Sequence, residues 1–401
     1  MSSATDRYNK KKEAIIAAAA GILNRRGVRG MTLADVAASV DLITTSVTYY
    51  FKKKEDLAVA CYLRGIARFD ALITAALAEE EPPRRLLKFL DLYLALHRRI
   101  REGDEAPIAV FNDIRALKEP HLPVVAKAYG QFFRKVRALF KAPGYDWLDR
   151  RMSTARTHML LEQVYWSVTW LPRHDLDDYG RVRDRMFDIL AQGVAPAGAR
   201  WEPARLPDPP ADAQDGPRET FLTAATKLIN QRGYRGASVE KISEQLNVTK
   251  GSFYHHNAAK DDLVVACFER SFDVMRRVQS AALGEGGDYW HKISSAAATL
   301  VEFQLSERGP LLRSSALSAL PEPMRLMMVE RANRISERFA AMISDGVADG
   351  SIRAVDPYIA AQMLNATLNA AADLPFTIPD VAAFDAPALY AKPVLMGVFS
   401  R

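Results

Sequence analysis

At 401 residues the chain is too long for one ordinary helical domain, and a usual span of about 100–200 residues per domain gives it two to four. A hydrophobic fraction of 49% with 25% charged residues is that of a soluble globular protein, and no stretch reaches the roughly 20 apolar residues that a membrane span requires. The net charge of +6 is weak evidence for a polyanionic partner on its own, but residues 1–55 hold ten Lys/Arg against five Asp/Glu, so most of it sits at the start of the chain. Two cysteines, Cys61 and Cys267, are too few for a disulfide framework and lack metal-ligand spacing. A reducing cytoplasm is the expected location, with no cofactor, no metal and no membrane partner.

In chain order, Lys10, Lys11 and Lys12 precede an apolar run that superficially resembles a secretory leader. Glu13 interrupts the join, Arg25 and Arg26 follow closely, and a related segment recurs in mid-chain, so the run is expected to be a helix of the folded protein. In it Ile15, Ala18, Ala19, Ile22 and Leu23 recur at helical spacing, and Gly27 with Gly30 marks the stop. Thr32 predicts the N-cap of a second helix, with Asp35 as its capping-box partner and Leu33, Val36, Ala37 and Val40 facing inward. Asp41-Leu42-Ile43 predicts a tight turn, because Asp tolerates the left-handed conformation. A third short helix, rich in hydroxyl and aromatic residues, runs to Lys54. Three helices with the last two joined by a short turn make a helix-turn-helix. Amphipathic helices with aromatic faces follow, closing with 155–171 and 180–194.

Residues 195–217 change texture. Pro196, Pro203, Pro207, Pro209, Pro210 and Pro217 predict an extended linker rather than a packed element. Beyond it the chain repeats itself: residues 22–62 align without a gap on 228–268. Asn24/Asn230, Arg26/Arg232, Gly27/Gly233, Gly30/Gly236, Ser46/Ser252, Lys54/Lys260 and Leu57/Leu263 are identical, and apolar character is kept between them. The duplication predicts five segments: 1–57 and 218–263 as equivalent heads, 58–194 and 264–401 as helical domains, and 195–217 as the linker. Segments 356–373 and 386–399 are the second closing pair. Both cysteines fall at one helical position, where a small buried hydrophobe is the default role.

Gly27-Val28-Arg29-Gly30-Met31-Thr32, Val36-Ala37 and Tyr49-Tyr50-Phe51-Lys52-Lys53-Lys54-Glu55-Asp56-Leu57 resemble the amino-terminal signature of the TetR family of transcription regulators. Gly233-Tyr234-Arg235-Gly236, Val248-Thr249-Lys250-Gly251-Ser252-Phe253-Tyr254-His255-His256 and Lys260-Asp261-Asp262-Leu263 resemble it equally. The resemblance implies an all-α chain of two tandem TetR-like units. Each unit would be a three-helix DNA-binding domain with a helix-turn-helix plus a helical ligand-binding and dimerisation domain, and the closing helices would join the two as an intramolecular pseudo-dimer. A double-stranded DNA operator and a small-molecule effector are then the expected partners. The base-reading residues would be Thr44, Thr45, Ser46, Thr48 and Tyr49 in the first head and Lys250, Gly251, Ser252, Tyr254 and His255 in the second. Tyr50, His256, Lys54 and Lys260 are expected at phosphates, Thr32 and Ser238 as caps that also offer a hydroxyl or backbone N–H to phosphate, and Lys10 and Lys11 as a basic arm. Phe51 is assigned to the core.

The heads are unequal. Thr44-Thr45 stands where the family usually has Lys-Gly, Ile43 cannot cap the recognition helix, and Asn257 and Ala258 replace Phe51 and Lys52. Unlike recognition helices imply an operator with asymmetric half-sites. The resemblance also implies a mostly apolar cavity in each helical domain, for which Phe89, Tyr93, Phe111, Phe132, Tyr165, Trp166, Phe303, Met342 and Met363 are the candidate lining. The function expected is a repressor released by a small, largely apolar ligand; the alternative is a ligand-binding or interaction protein whose second head no longer binds DNA. An enzyme is not expected: Gly284-Glu285-Gly286-Gly287 lacks the P-loop Lys-Ser/Thr, and no G-x-S-x-G or H-E-x-x-H occurs.

Overall fold

The computed structural model describes residues 4–207, 216–233, 241, 243–244 and 260–401. Among them every regular element is helical. The first unit comprises α1 (Ala4–Gly30), α2 (Leu33–Ser39), α3 (Thr44–Tyr50), α4 (Lys54–Ala76), α5 (Pro82–Glu102), α6 (His121–Arg137), α7 (Arg150–Trp170) and α8 (Tyr179–Gln192). The second follows with α9 (Gly216–Arg232), α10 (Lys260–Gly284), α11 (Tyr289–Leu305), α12 (Glu322–Asp349), α13 (Pro357–Ala370), the single turn α14 (Leu374–Thr377) and α15 (Lys392–Met396), which a short wide turn, Pro387–Ala391, precedes.

The repeat runs further than sequence identity does. Ile15, Ile16, Ala19, Ile22 and Leu23 on α1 are buried, and so are Phe221, Leu222, Ala225, Leu228 and Ile229 on α9. The Cys61 thiol lies 3.5 Å from the Ile16 carbonyl and the Cys267 thiol 3.8 Å from that of Leu222. Asn24 donates to the Ile108 carbonyl (2.8 Å) and accepts from the Val110 N–H (2.8 Å). In the second unit Asn230 donates to the Leu311 carbonyl (2.9 Å) and accepts from the Arg313 N–H (3.0 Å). Each head helix is therefore clamped by one asparagine to the loop after the unit's second long regulatory helix. A short 3₁₀ turn begins at the next residue in both cases, Phe111–Ala116 and Ser314–Ala319. The turns are shared as well, since α1 also lies against Ser314–Ala319 and α9 against Phe111–Ala116.

The two units pack through α7 and α8 on one side and α13, the Pro387–Ala391 turn and α15 on the other. Gln163 Nε2 donates to the Met363 carbonyl (2.9 Å) and Thr367 Oγ1 (2.8 Å), Trp166 Nε1 to Gln362 Oε1 (3.0 Å), and Arg156 Nε to the Val398 carbonyl (2.8 Å). Two backbone bonds are reciprocal: Val194 N–H to the Leu395 carbonyl (2.8 Å) and Val398 N–H to the Leu190 carbonyl (2.7 Å). Glycine is required at both crossings. A Cβ on Gly193 (φ +71°) would stand 2.3 Å from the Leu395 oxygen, and one on Gly397 (φ +96°) 2.5 Å from that of Ala191.

The proline-rich stretch has no helix up to residue 207, but its first half is packed, where the sequence predicts a free linker. Trp290 Nε1 donates to the Arg200 carbonyl (3.1 Å), Ala204 N–H to Ser295 Oγ (2.8 Å), and Leu206 is buried. Proline sets the extended conformation; the apolar side chains spaced along it supply the adhesion. One hydrophobic core runs through the first unit and most of the second. A smaller, separate cluster joins α9 to the start of α10 and to Leu312, Leu317 and Met328.

Candidate nucleic-acid interface and effector cavity

The first head is built as its local sequence dictates. Gly27 adopts φ 64°, ψ 174° and breaks α1, a conformation open to glycine at little cost. Thr32 Oγ1 accepts the Asp35 N–H (3.0 Å) and donates to Asp35 Oδ2 (2.7 Å), while Arg26 pairs with the same carboxylate (2.9 Å). The Thr32 hydroxyl, then the Arg26 guanidinium, hold the Asp35 carboxyl below its ordinary range. Asp41 takes the left-handed conformation (φ 53°) that turns the chain into α3. Ile43 makes no side-chain cap and is 71% exposed.

Along α3, Val47 is buried, Thr44, Thr45 and Tyr49 are exposed, and Ser46, Thr48 and Tyr50 are half-buried. Tyr49, 68% exposed, forms with Tyr50 and Tyr8 an aromatic ledge whose ring centroids lie 4.8–6.2 Å apart. Phe51 is buried as assigned, with Lys12 Nζ 5.8 Å from its ring centroid. Lys54 opens α4, and the Asp56 carboxylate accepts the Lys53 N–H (3.1 Å) just before it. Thus Thr44, Thr45, Ser46, Tyr49 and Tyr50 share one exposed end of the head.

Three local details bear on the expected contacts. Lys10 and Lys11 are exposed but helical, because α1 already starts at Ala4; they form the first turns of a helix rather than an arm. The Thr32 hydroxyl is engaged in both directions by Asp35, which leaves its donor committed to the cap. Thr48 Oγ1 donates to the Thr45 carbonyl (2.9 Å), so its proton is likewise used within α3. Tyr8 was not foreseen; its only sequence signal is its place two residues before Lys10. Ser238, Lys250, Gly251, Ser252, Tyr254, His255 and His256, with Asn257, Ala258 and the Lys260 side chain, lie outside the described residues.

One cavity of the regulatory part lies between the two units rather than inside either. Its volume is about 830 Å³, and it is lined by Phe111, Ile114, Tyr129, Phe133 and Tyr165 of the first unit and by Arg313, Asp373, Phe376 and Ile378 of the second, among others. Its lining is mostly apolar, as expected, but Arg134, Arg137, Arg150 and Arg151 line it too. Arg137 donates to Thr154 Oγ1 (3.2 Å) and Arg151 lies 3.8 Å from Asp385; among the described residues Arg134 and Arg150 have no acidic partner. At the inner end Arg313 pairs with Asp373 (2.5 Å) and reaches to 3.8 Å from Glu162, across the unit boundary. His158 Nδ1 is 2.7 Å from the Tyr390 hydroxyl, again across the boundary.

A second cavity, of about 530 Å³, lies on the other side of Glu162, Tyr165 and Arg313, which line both. Asn24 and Gly27 of α1, Tyr93 and His97 of α5, Trp166, and Arg325 of α12 complete it in part. Of the candidate lining residues, Tyr93, Phe111, Tyr165 and Trp166 face these spaces. Phe89, Phe132, Phe303, Met342 and Met363 are buried in core and line neither of the two. In the second unit the reason is the run of small side chains at residues 294–298 on α11, which lets neighbouring helices close up.

A three-helix head with a short turn before an exposed third helix defines a helix-turn-helix DNA-binding protein. Comparison with known proteins agrees twice over. The family described as "Bacterial regulatory proteins, tetR family" matches residues 15–61 and 221–267, and "Tetracyclin repressor-like, C-terminal domain" matches 286–373. The Transposon Tn10 TetC protein of Escherichia coli is 36% identical over 52 residues, which are 13% of this chain and 26% of that one. The transcriptional repressor DhaR of a Mycobacterium strain is 27% identical over 139 residues, 34% of this chain and 70% of its own. Among solved structures, the TetR regulator PfmR of Thermus thermophilus (21% identity, TM-score 0.37) covers 45% of this chain and 99% of its own. The regulator FadR of Bacillus subtilis, in complex with stearoyl-CoA (16%, TM-score 0.37), covers 44% and 97%. The chain thus carries two amino-terminal domains of the TetR family's type in tandem and a TetR-like regulatory domain after the second, and the relatives it resembles are transcription regulators.

Proposed function

We propose that the chain is a transcriptional repressor that meets its operator as one polypeptide and leaves it when a small molecule occupies the cavity between the units. The observation carrying this reading is the packing of α7 and α8 against α13 and α15, with reciprocal backbone bonds at Val194 and Val398. This packing supports reading the chain as an internal pseudo-dimer of units 1–194 and 218–401, each with a head and a regulatory domain. Thr44, Thr45, Ser46 and Tyr49 read bases in one half-site; Tyr50 and Lys54, with Lys10 and Lys11, contact phosphate. Ser238, Lys250, Gly251, Ser252, Tyr254, His255, His256 and Lys260 do the same work at a second, unlike half-site. The relative DhaR is a transcriptional repressor, and a repressor reading follows that relative.

The test uses DNA selected from a random pool by the full chain. One chain should bind one duplex with an affinity that does not depend on assembling two chains, and the footprint should show two different half-sites. Tyr49→Ala should weaken protection of one and Lys250→Ala of the other. A palindromic site bound by two chains, with equal losses at both halves, would exclude the reading.

A further inference from the structure

We propose that the 830 Å³ cavity is one effector site shared by the two units, that it takes an amphipathic organic anion, and that both heads read its occupant through the two asparagine clamps. This rests on the reading that a small molecule controls DNA binding.

The ligand class follows from the lining. Aromatic and aliphatic side chains of both units, Phe111, Ile114, Tyr129, Phe133, Phe376 and Ile378, offer an apolar bed. Among the described residues Arg134 and Arg150 lack an acidic partner, and Arg137 donates to the Thr154 hydroxyl rather than to a carboxylate. A guanidinium group prefers carboxylate or phosphate, which it engages through paired N–H donors. The carboxylates Glu162 and Asp373 at the inner end are already met by Arg313, so they do not repel an anion held at the other arginines.

Arg134 and Arg150, the two without an acidic partner among the described residues, both lie on the first unit. Both α7 and α13 start on an aspartate N-cap, Asp149 and Asp356, but Arg150-Arg151 follows the first and Pro357-Tyr358 the second. One anion site per chain is the consequence. The readout follows from chain continuity. Phe111 lines the cavity beside Val110, whose N–H is held by Asn24 of α1; Arg313 lines it and its own N–H is held by Asn230 of α9. A molecule that moves Phe111 and Arg313 displaces both clamps.

Titration calorimetry of the full chain should use dodecanoate, dodecanoyl-CoA and dodecanol as probes, with release of fluorescent selected DNA followed alongside. One anionic probe per chain is expected, bound at least about tenfold more tightly than dodecanol; the tighter anion identifies a carboxylate or a phosphate-bearing head. Arg134→Glu with Arg150→Glu should abolish that preference while DNA affinity without probe is kept. Asn24→Ala and Asn230→Ala should bind the probe as before but each lose probe-driven release at one half-site, and Asn24→Ser and Asn230→Ser serve if the alanine variants melt early. Two probes per chain, equal binding of dodecanol, or clamp variants with unaltered release overturn the proposal. Selective one-to-one binding that never releases DNA overturns instead the regulatory reading, with the clamp readout built on it.

Discussion

Two kinds of side chain show how burial sets chemistry. Burial pushes the Cys61 thiol up to about 12 and the Cys267 thiol up to about 11, so neither forms the thiolate that reacts at neutral pH. A thiol reagent should label neither cysteine in the native chain and both after unfolding; rapid native labelling would contradict their packing. His97, against Tyr93 with ring centroids 4.5 Å apart, is pushed down to about 4 by burial from its ordinary 6.5. Its folded-state value is depressed, so the stability it confers is complete above about 6.5 and is lost as pH falls toward about 4. Wild-type melting temperature should fall over that window more than that of His97→Gln; parallel curves would refute the assignment. Asn24 shows what sequence conveys and what it hides. Its identity with Asn230 is plain at offset 206, but the partners Ile108 and Leu311 are separated by 203 residues, so the alignment that finds the asparagines misses the loops they hold.

Short elements carried the legible part of the fold. Gly27, Thr32 and Asp41 each solve a local backbone problem, the end of one helix, the start of another and a turn, and local problems are visible in local sequence. Loss of the cap in Thr32→Ala should cost about 1 kcal/mol in denaturant melts, and by loosening α2 it should also weaken DNA binding. The cavity was legible only in part because helical periodicity identifies the inward face of a helix and not whether that face is packed or hollow. Phe89 and Phe132 face inward into core, whereas Phe111 and Tyr165 face space. The arginines escaped notice because α6 and α7 bring Arg134 and Arg150 together only after folding, and Arg313 arrives from the other unit.

Across the whole molecule, the division of the core predicts uneven stability. A single apolar cluster spans the first unit and the regulatory part of the second, while α9 belongs to the small one. Hydrogen exchange should be slowest in α7 and α13 and markedly faster in α9; equal protection would show that the small cluster is no weaker than the large. Gly193→Ala and Gly397→Ala probe the seam itself. Each places a side chain in a backbone region nearly reserved for glycine, at a cost of about 1–3 kcal/mol, and against a carbonyl of the other unit.

The crossings at Gly193 and Gly397 keep a local two-fold relation that the rest of the chain has abandoned. In a pair of identical subunits every substitution arrives twice, so a change that improves one head is imposed on the other and on both binding sites. Here Gly193 and Gly397 are separate codons, as are Arg150 and Pro357 or Phe111 and Ser314. A single substitution therefore alters one side of the assembly while the other stands as its internal control. Either half of this chain can accordingly be varied by itself.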